Sequence, residues 1–340
     1  MLPCKAFSGK LILSEIGESH VGTYHFKSDG TGNTDVKFKC KESVTGRNGV
    51  KVLQRPPVVF EGKVYEESFE HADCHVLFTP KYFPAYKKCS LILRGVEIVK
   101  LADAIFDASR ASVDDPIKAW DDHNEKLRIK TNWLNDQNFA ALQYNGPNTN
   151  LRVGLADEHE WMGGASKAQN GIICNPNIPS EEVFTTPHAY KVDGTVVSTK
   201  PLSYQGTLIE NIKVTFEEGK IVEASASKGQ EVLNKVLKSD EGASRIGEVA
   251  LVPHSSPISQ SGIVFFNTLF DENASSHIAL GQCYSKCFKG DFSKEEISKR
   301  GGNSSMIHID WMIGSNEIDV DGIDQNGNAV PVFRKGEWAN

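Results

Sequence analysis

The chain has 340 residues, of which 39% are apolar and 24% charged, and its formal net charge is -7. That is the composition of an ordinary globular protein with ample core material, and its acidic balance argues against a nucleic-acid partner, which needs a basic footprint. No apolar run approaches the about 18 residues of a membrane span, so no membrane partner is expected.

The opening stretch "MLPCKAFSGKLILSEIG" has too short an apolar run for a secretory signal. Residues 1–95 are rich in Gly, Asn, Lys and Thr around "SDGTGNTDVKFKCKESVTGRNGVKVLQRPP", their apolar residues are scattered, and no helix is predicted there. Four of the seven cysteines fall in this segment, and the whole chain has no C-x-x-C pair. A disulfide framework or a thiolate zinc site is therefore not expected, and a reducing cytoplasm is.

From Val96 the texture changes to that of a mixed α/β protein. "VEIVKLADAIFDASR" places Ile98, Leu101, Ile105 and Ala108 on one helical face. In "VDDPIKAWDDHNEKLRIKTNWLND", Asp115 is an N-cap and Pro116 suits the first helical position. Trp120, Leu127 and Leu134 recur every seven residues as one buried stripe. "FAALQYNGPNTNLRVGL" alternates around a Gly-Pro turn as a hairpin, "IKVTFEEGKIVEASA" is a second hairpin, and "GQEVLNKVLKSDEGA" is a short amphipathic helix.

The chemistry concentrates in four stretches. In "SSMIHIDWMIGS", residues 304–315, His308 and Asp310 interrupt an apolar strand. Strand residues two apart share a face, so the imidazole and the carboxylate project together, away from Ile307, Ile309 and Trp311. Two readings fit this pair: a His-Asp hydrogen bond in a polar patch, or two ligands of a metal ion that offsets burial of the carboxylate. In "FDENASSHIALGQCYSKC", residues 270–287, Asn273 can cap a helix in which His277, Gly281 and Tyr284 share one face. Gly281 would then either open a recess between the imidazole and the phenol or let the helix pack closely on a strand. Glu248 stands inside the apolar run "IGEVALVP". In "NIPSEEVFTTPH", one of Glu181 and Glu182 must face inward if the segment is extended. His188 and His254 lie beside turn residues and read as surface histidines. "HEWMG", residues 159–163, begins like H-E-x-x-H but has Gly163 where the second His belongs. No His follows His308, which is the wrong order for a non-haem iron oxygenase.

The segments "NIPSEEVFTTP", "STKPLSYQGTLIEN", "GEVALVP", "SPISQSG", "LFDENASSHIALG" and "IHIDWMIGS" together resemble the thermophilic-type metallo-aminopeptidases, the family of aminopeptidases S, T and II. The resemblance runs from about Val96 to Asn340. It implies a mixed α+β catalytic domain over 96–340 and a site for two divalent ions, with Zn, Co, Mn and Mg all suited to its donors. It carries five ligands onto Glu182, Glu248, His277, His308 and Asp310, preferring Glu182 to its neighbour Glu181. It implies hydrolysis of the first peptide bond of peptides with a free N-terminus, by a water activated between the two ions. Tyr284 would serve the developing oxyanion, and Glu181 or Glu248 would carry the proton to the leaving amine. A homodimer is implied as well. Residues 1–95 do not resemble the α/β domain that precedes the catalytic domain in this family; they read as a replacement or a disrupted remnant, with 75–88 faintly similar to that domain's end. The alternative this leaves is a catalytically impaired relative that binds metal or peptide without turnover.

Overall fold

The computed structural model describes residues 96–339, with side chains from Lys100 onward. Ahead of these it describes the backbone of Ser8–Leu13, Gly22–Ser28, Thr34–Cys40, Val58–Phe60 and Ile92–Leu93. The stretch 75–88 lies outside the described residues. The chain divides into two compact units, Met1–Asp103 and Ala104–Asn340.

In the first unit, Ser8–Leu13, Gly22–Ser28, Thr34–Cys40 and Val58–Phe60 pair in that order as an antiparallel meander. Tyr24 and Phe26 alternate with polar residues, as do Val36 and Phe38, and the register sets Tyr24 opposite Phe38 and Phe26 opposite Val36.

The second unit mixes helices with two large antiparallel sheets and two two-stranded ones, as the mixed α/β texture of the sequence predicts. Helix Pro116–Gln137 opens as expected: the Asp115 side chain accepts from the Lys118 N–H, and Pro116 is the first helical residue. Leu127 and Leu134 of its apolar stripe are buried. Both predicted hairpins form, Ala141–Gly146 with Thr149–Leu155 and Lys213–Glu217 with Lys220–Ser225. The short amphipathic helix spans Gln230–Val236.

The larger sheet has eight strands, in the order Lys220–Ser225, Lys213–Glu217, Pro187–Val197, Thr149–Leu155, Ala141–Gly146, Asp319–Ile323, Ala329–Arg334 and Glu337–Trp338. The smaller has five, in the order His308–Met312, His277–Gly281, Ile246–Leu251, Val183–Thr185 and Met162–Gly163. Leu142, Tyr144, Val153, Val192, Val214 and Phe333 of the first sheet share one hydrophobic core with Val183, Val249, Ile278, Leu280, Ile309 and Trp311 of the second. Burying one face of the five-stranded sheet in this way leaves its other face free for chemistry.

The structure corrects the helix expected over 270–287. A short helix runs only over Thr268–Glu272, Asn273 stands at its C-terminal end, and His277–Gly281 is a strand. That strand is hydrogen-bonded on both sides, to Ile246–Leu251 and to His308–Met312. A central strand satisfies its whole backbone and buries all five of its residues, which outweighs the local spacing that suited a helix.

Candidate metal centre

Strand register places the candidate residues on one face of the five-stranded sheet. Asp310 lies opposite Ala279, and Ala279 lies opposite Glu248, so the three form a row across three strands. One step along, His308 lies opposite Gly281, and on the other side His277 lies opposite Met312 and Ala250. Glu182 precedes strand Val183–Thr185 and shares a face with Phe184, which lies opposite Ala250. The small residues Gly281, Ala279 and Ala250 leave room above the sheet, and longer polar side chains converge into it. The intervening residues Val183, Val249, Ile278, Ile309 and Trp311 point into the core.

Gly281 does not form a recess on a helix. Its φ is +99°, and a Cβ placed there would lie 2.1 Å from the Ile307 carbonyl oxygen. Only glycine allows the chain to pass this close to the residue before His308.

The ligand atoms form two overlapping groups, Glu182 with Glu248 and His277, and Glu248 with His308 and Asp310; within each, all atoms lie within 4.8 Å of one another. Glu248 belongs to both. Individual contacts are His277 Nε2 to Glu182 Oε2 at 3.1 Å, His308 Nε2 to Glu248 Oε2 at 3.0 Å, and His308 Nε2 to Asp310 Oδ1 at 3.5 Å. Each imidazole is oriented from behind. His277 Nδ1–H donates to the Ser275 carbonyl at 3.1 Å, and His308 Nδ1–H donates to the Gln282 carbonyl at 2.7 Å. In the neutral ring this leaves the Nε2 lone pair facing the carboxylates, the tautomer a metal ligand needs. His308 Nε2 and Asp310 Oδ1 are buried without a properly directed hydrogen bond.

Burial and mutual crowding set the protonation of the cluster. Burial pushes Glu248 up to about 7, against the pull of His308, with Asp310 and Glu182 adding to the rise. Burial alone would lower His277 and His308, but the carboxylates outweigh it and push them up to about 10 and about 11. Burial would raise Asp310, yet His308 and His277 hold it below the ordinary carboxylate range. Buried carboxylates crowded on two imidazoles are a costly arrangement that a divalent cation relieves. The donor set, two imidazoles and three carboxylates, therefore fits hard or borderline divalent ions.

Glu272 is a member of the site that sequence reasoning missed. It is the last residue of helix Thr268–Glu272, and burial together with the charge of Asp310 pushes it up to about 9. The one signal available was an acidic residue five positions before His277, within the "LFDENASSHIALG" stretch.

Tyr284 stands at the open side, 44% exposed, with its ring 4.7 Å from the His308 ring and 5.6 Å from Phe184. Burial and the surrounding carboxylates push its hydroxyl up, so it stays protonated as a donor. Glu181 and Glu182 are both buried. Glu181 belongs to neither ligand group; its oxygens accept from Arg110 at 2.6 and 3.0 Å. His188 and His254 are half-buried and outside both groups. His159 is buried, with Nδ1 on the Ala156 carbonyl.

Residues 80–338 match the family model described as thermophilic metalloprotease (M29). The chain belongs to this family. Aminopeptidase T of Thermus aquaticus is 52% identical over 241 residues, covering 71% of this chain and 59% of that protein. Aminopeptidase 2 of Geobacillus stearothermophilus is 48% identical over 250 residues, covering 73% and 60%. The solved structure of wild-type AmpT from Thermus thermophilus superposes with a TM-score of 0.66 at 51% identity, covering 70% of this chain and 58% of that one. The chain thus spans about three fifths of the length of these M29 relatives. Among the described residues, no helix is long and apolar enough to cross a membrane.

Proposed function

We propose that this chain is a metal-dependent aminopeptidase that removes N-terminal residues from peptides. The observation that carries the reading is the pair of overlapping ligand groups sharing Glu248 on one sheet face, in a member of the M29 family. Glu182, Glu248 and His277 would hold one divalent ion, and Glu248, His308 and Asp310 a second. Ions bound there supply an acidified water and polarise the scissile carbonyl.

The chain's own residues supply the rest. Tyr284, protonated and at the open side, donates a hydrogen bond to the oxygen of the tetrahedral intermediate. Both Glu181 oxygens are engaged by Arg110, so the proton for the leaving amine passes through Glu248 or Glu272 rather than Glu181. A carboxylate near the ions also suits the substrate's free amino group, which restricts cleavage to unblocked N-termini. The impaired alternative has no support in this arrangement, because all five ligand side chains are present and converge. The free thiols Cys174, Cys283 and Cys287 accord with a reducing compartment, the cytoplasm.

The test is hydrolysis of a leucyl chromogenic amide and of its N-acetylated form, with chelator and with Zn or Co added back. The reading expects turnover of the free-amine substrate alone, lost to chelator, restored by metal, and abolished by His308→Ala. Chelator-resistant turnover, equal cleavage of the blocked substrate, or near wild-type activity of His308→Ala would overturn it.

A further inference from the structure

Beside the cluster lies a second buried ionic group. Arg110 donates from Nη1 to Glu181 Oε1 at 2.6 Å and from Nη2 to Glu181 Oε2 at 3.0 Å, and the two side chains are only 15% and 5% exposed. This two-pronged geometry fixes a carboxylate in orientation as well as position. Arg110 Nη2 also donates to His123 Nδ1 at 2.9 Å, and His123 Nε2–H donates to the Ser180 carbonyl at 2.7 Å. The guanidinium lies over Trp120, 4.9 Å from the ring centroid, and the Trp120 indole N–H donates to the Ser109 carbonyl. Both groups flanking the Ser180–Glu181 peptide are thus anchored to Arg110 and to helix Pro116–Gln137.

The same segment is tied to the stretch that carries His277. The Glu181 N–H donates to Asn273 Oδ1 at 2.6 Å, and fully buried Asn273 donates from Nδ2 to the Leu269 carbonyl and accepts from Ser256 Oγ at its own carbonyl. Arg110 itself is held at φ +55°, in the left-handed region that a non-glycine residue adopts at a cost. Such strain persists where the surroundings over-determine it.

A buried ion pair is a poor device for stability alone, because desolvation offsets much of the attraction. This one ends one residue before Glu182. We infer that Arg110 is a positioning residue for the metal site: by clamping Glu181 it sets the backbone that presents Glu182 and aligns it with the Asn273–His277 segment. The inference rests on the metal reading above. It concerns the ion held by Glu182 and His277 more than the one held by His308 and Asp310, because the clamp touches only the first pair's segments. Loss of a group that orients a ligand typically costs 10–100-fold in metal affinity, so a loss of about that size is expected.

The experiment is equilibrium dialysis of Zn and Co against the wild-type chain, Arg110→Met/Glu181→Met, Arg110→Lys and Glu181→Gln, with melting of each metal-free protein alongside. The double variant removes both charges and should melt close to wild type, yet bind one of its two ions about 10–100-fold more weakly. Arg110→Lys keeps the charge without the fork and should fall between. If the double variant does not fold, Arg110→Lys and Glu181→Gln carry the test, each keeping a hydrogen bond. Wild-type affinity for both ions in the folded variants would overturn the positioning role while leaving the metal reading intact. A wild-type chain that binds neither ion would overturn the metal reading, and this inference with it.

Discussion

Glu181 and Glu182 are adjacent and both buried, yet their carboxylates serve different groups. Glu181 takes two hydrogen bonds from Arg110, and Glu182 lies 3.1 Å from His277 Nε2. Successive residues of an extended chain point to opposite sides. One carboxylate can therefore anchor the segment while its neighbour enters the cluster.

Tyr284 is the residue best placed to separate chemistry from metal binding. Its ring lies beside His308, and a neutral phenol is not one of the five proposed ligands. Tyr284→Phe is expected to lower kcat by about 100- to 1,000-fold, the usual cost of one oxyanion donor, with metal content and KM near wild type. Steady-state kinetics with metal analysis of the same sample checks this; an unchanged kcat removes Tyr284 from the mechanism.

Metal removal should be visible without substrate. A divalent ion that binds only the folded chain at 100 times its Kd stabilises by about 2.7 kcal/mol. Chelation is expected to lower the melting temperature by several degrees, and added Zn or Co to restore it. Melting that ignores both treatments would show that the cluster holds no ion.

Gly281→Ala tests the close pass beside His308. With φ at +99° and the Ile307 carbonyl oxygen 2.1 Å from the added carbon, the substitution strains the backbone by about 1–3 kcal/mol. A lower melting temperature is expected, with weaker metal binding because His308 and Gly281 are register partners. Differential scanning fluorimetry reads the first effect, and a wild-type melting temperature would contradict the geometry.

His123 should give the clamp a pH dependence. Burial lowers this histidine below 6.5, with Glu181 opposing and Arg110 and Lys126 reinforcing the shift. Below pH 6.5 the unfolded chain takes up a proton that the folded chain refuses, so this contribution is lost as pH falls toward the folded value and is constant above 6.5. His123→Gln is expected to shrink the fall in melting temperature between about pH 7.5 and about pH 5.5. Equal falls in both proteins would remove His123 as the source.

Period and capping were legible from residues alone. The two-residue spacing placed His308 and Asp310 together, Asp115-Pro116 marked a helix start, and alternation marked both hairpins, because each is decided by neighbours in the chain. Tertiary structure decided what depends on distant partners. His277 joined a strand rather than a helix because two flanking strands satisfy its backbone. Glu182 rather than Glu181 entered the cluster because Arg110, 71 residues away from Glu181, claims the other carboxylate. Glu272 gained its place only when the end of its helix was packed beside Asp310. Local spacing sets which side chains share a face; burial of the opposite face in a common core sets which faces meet.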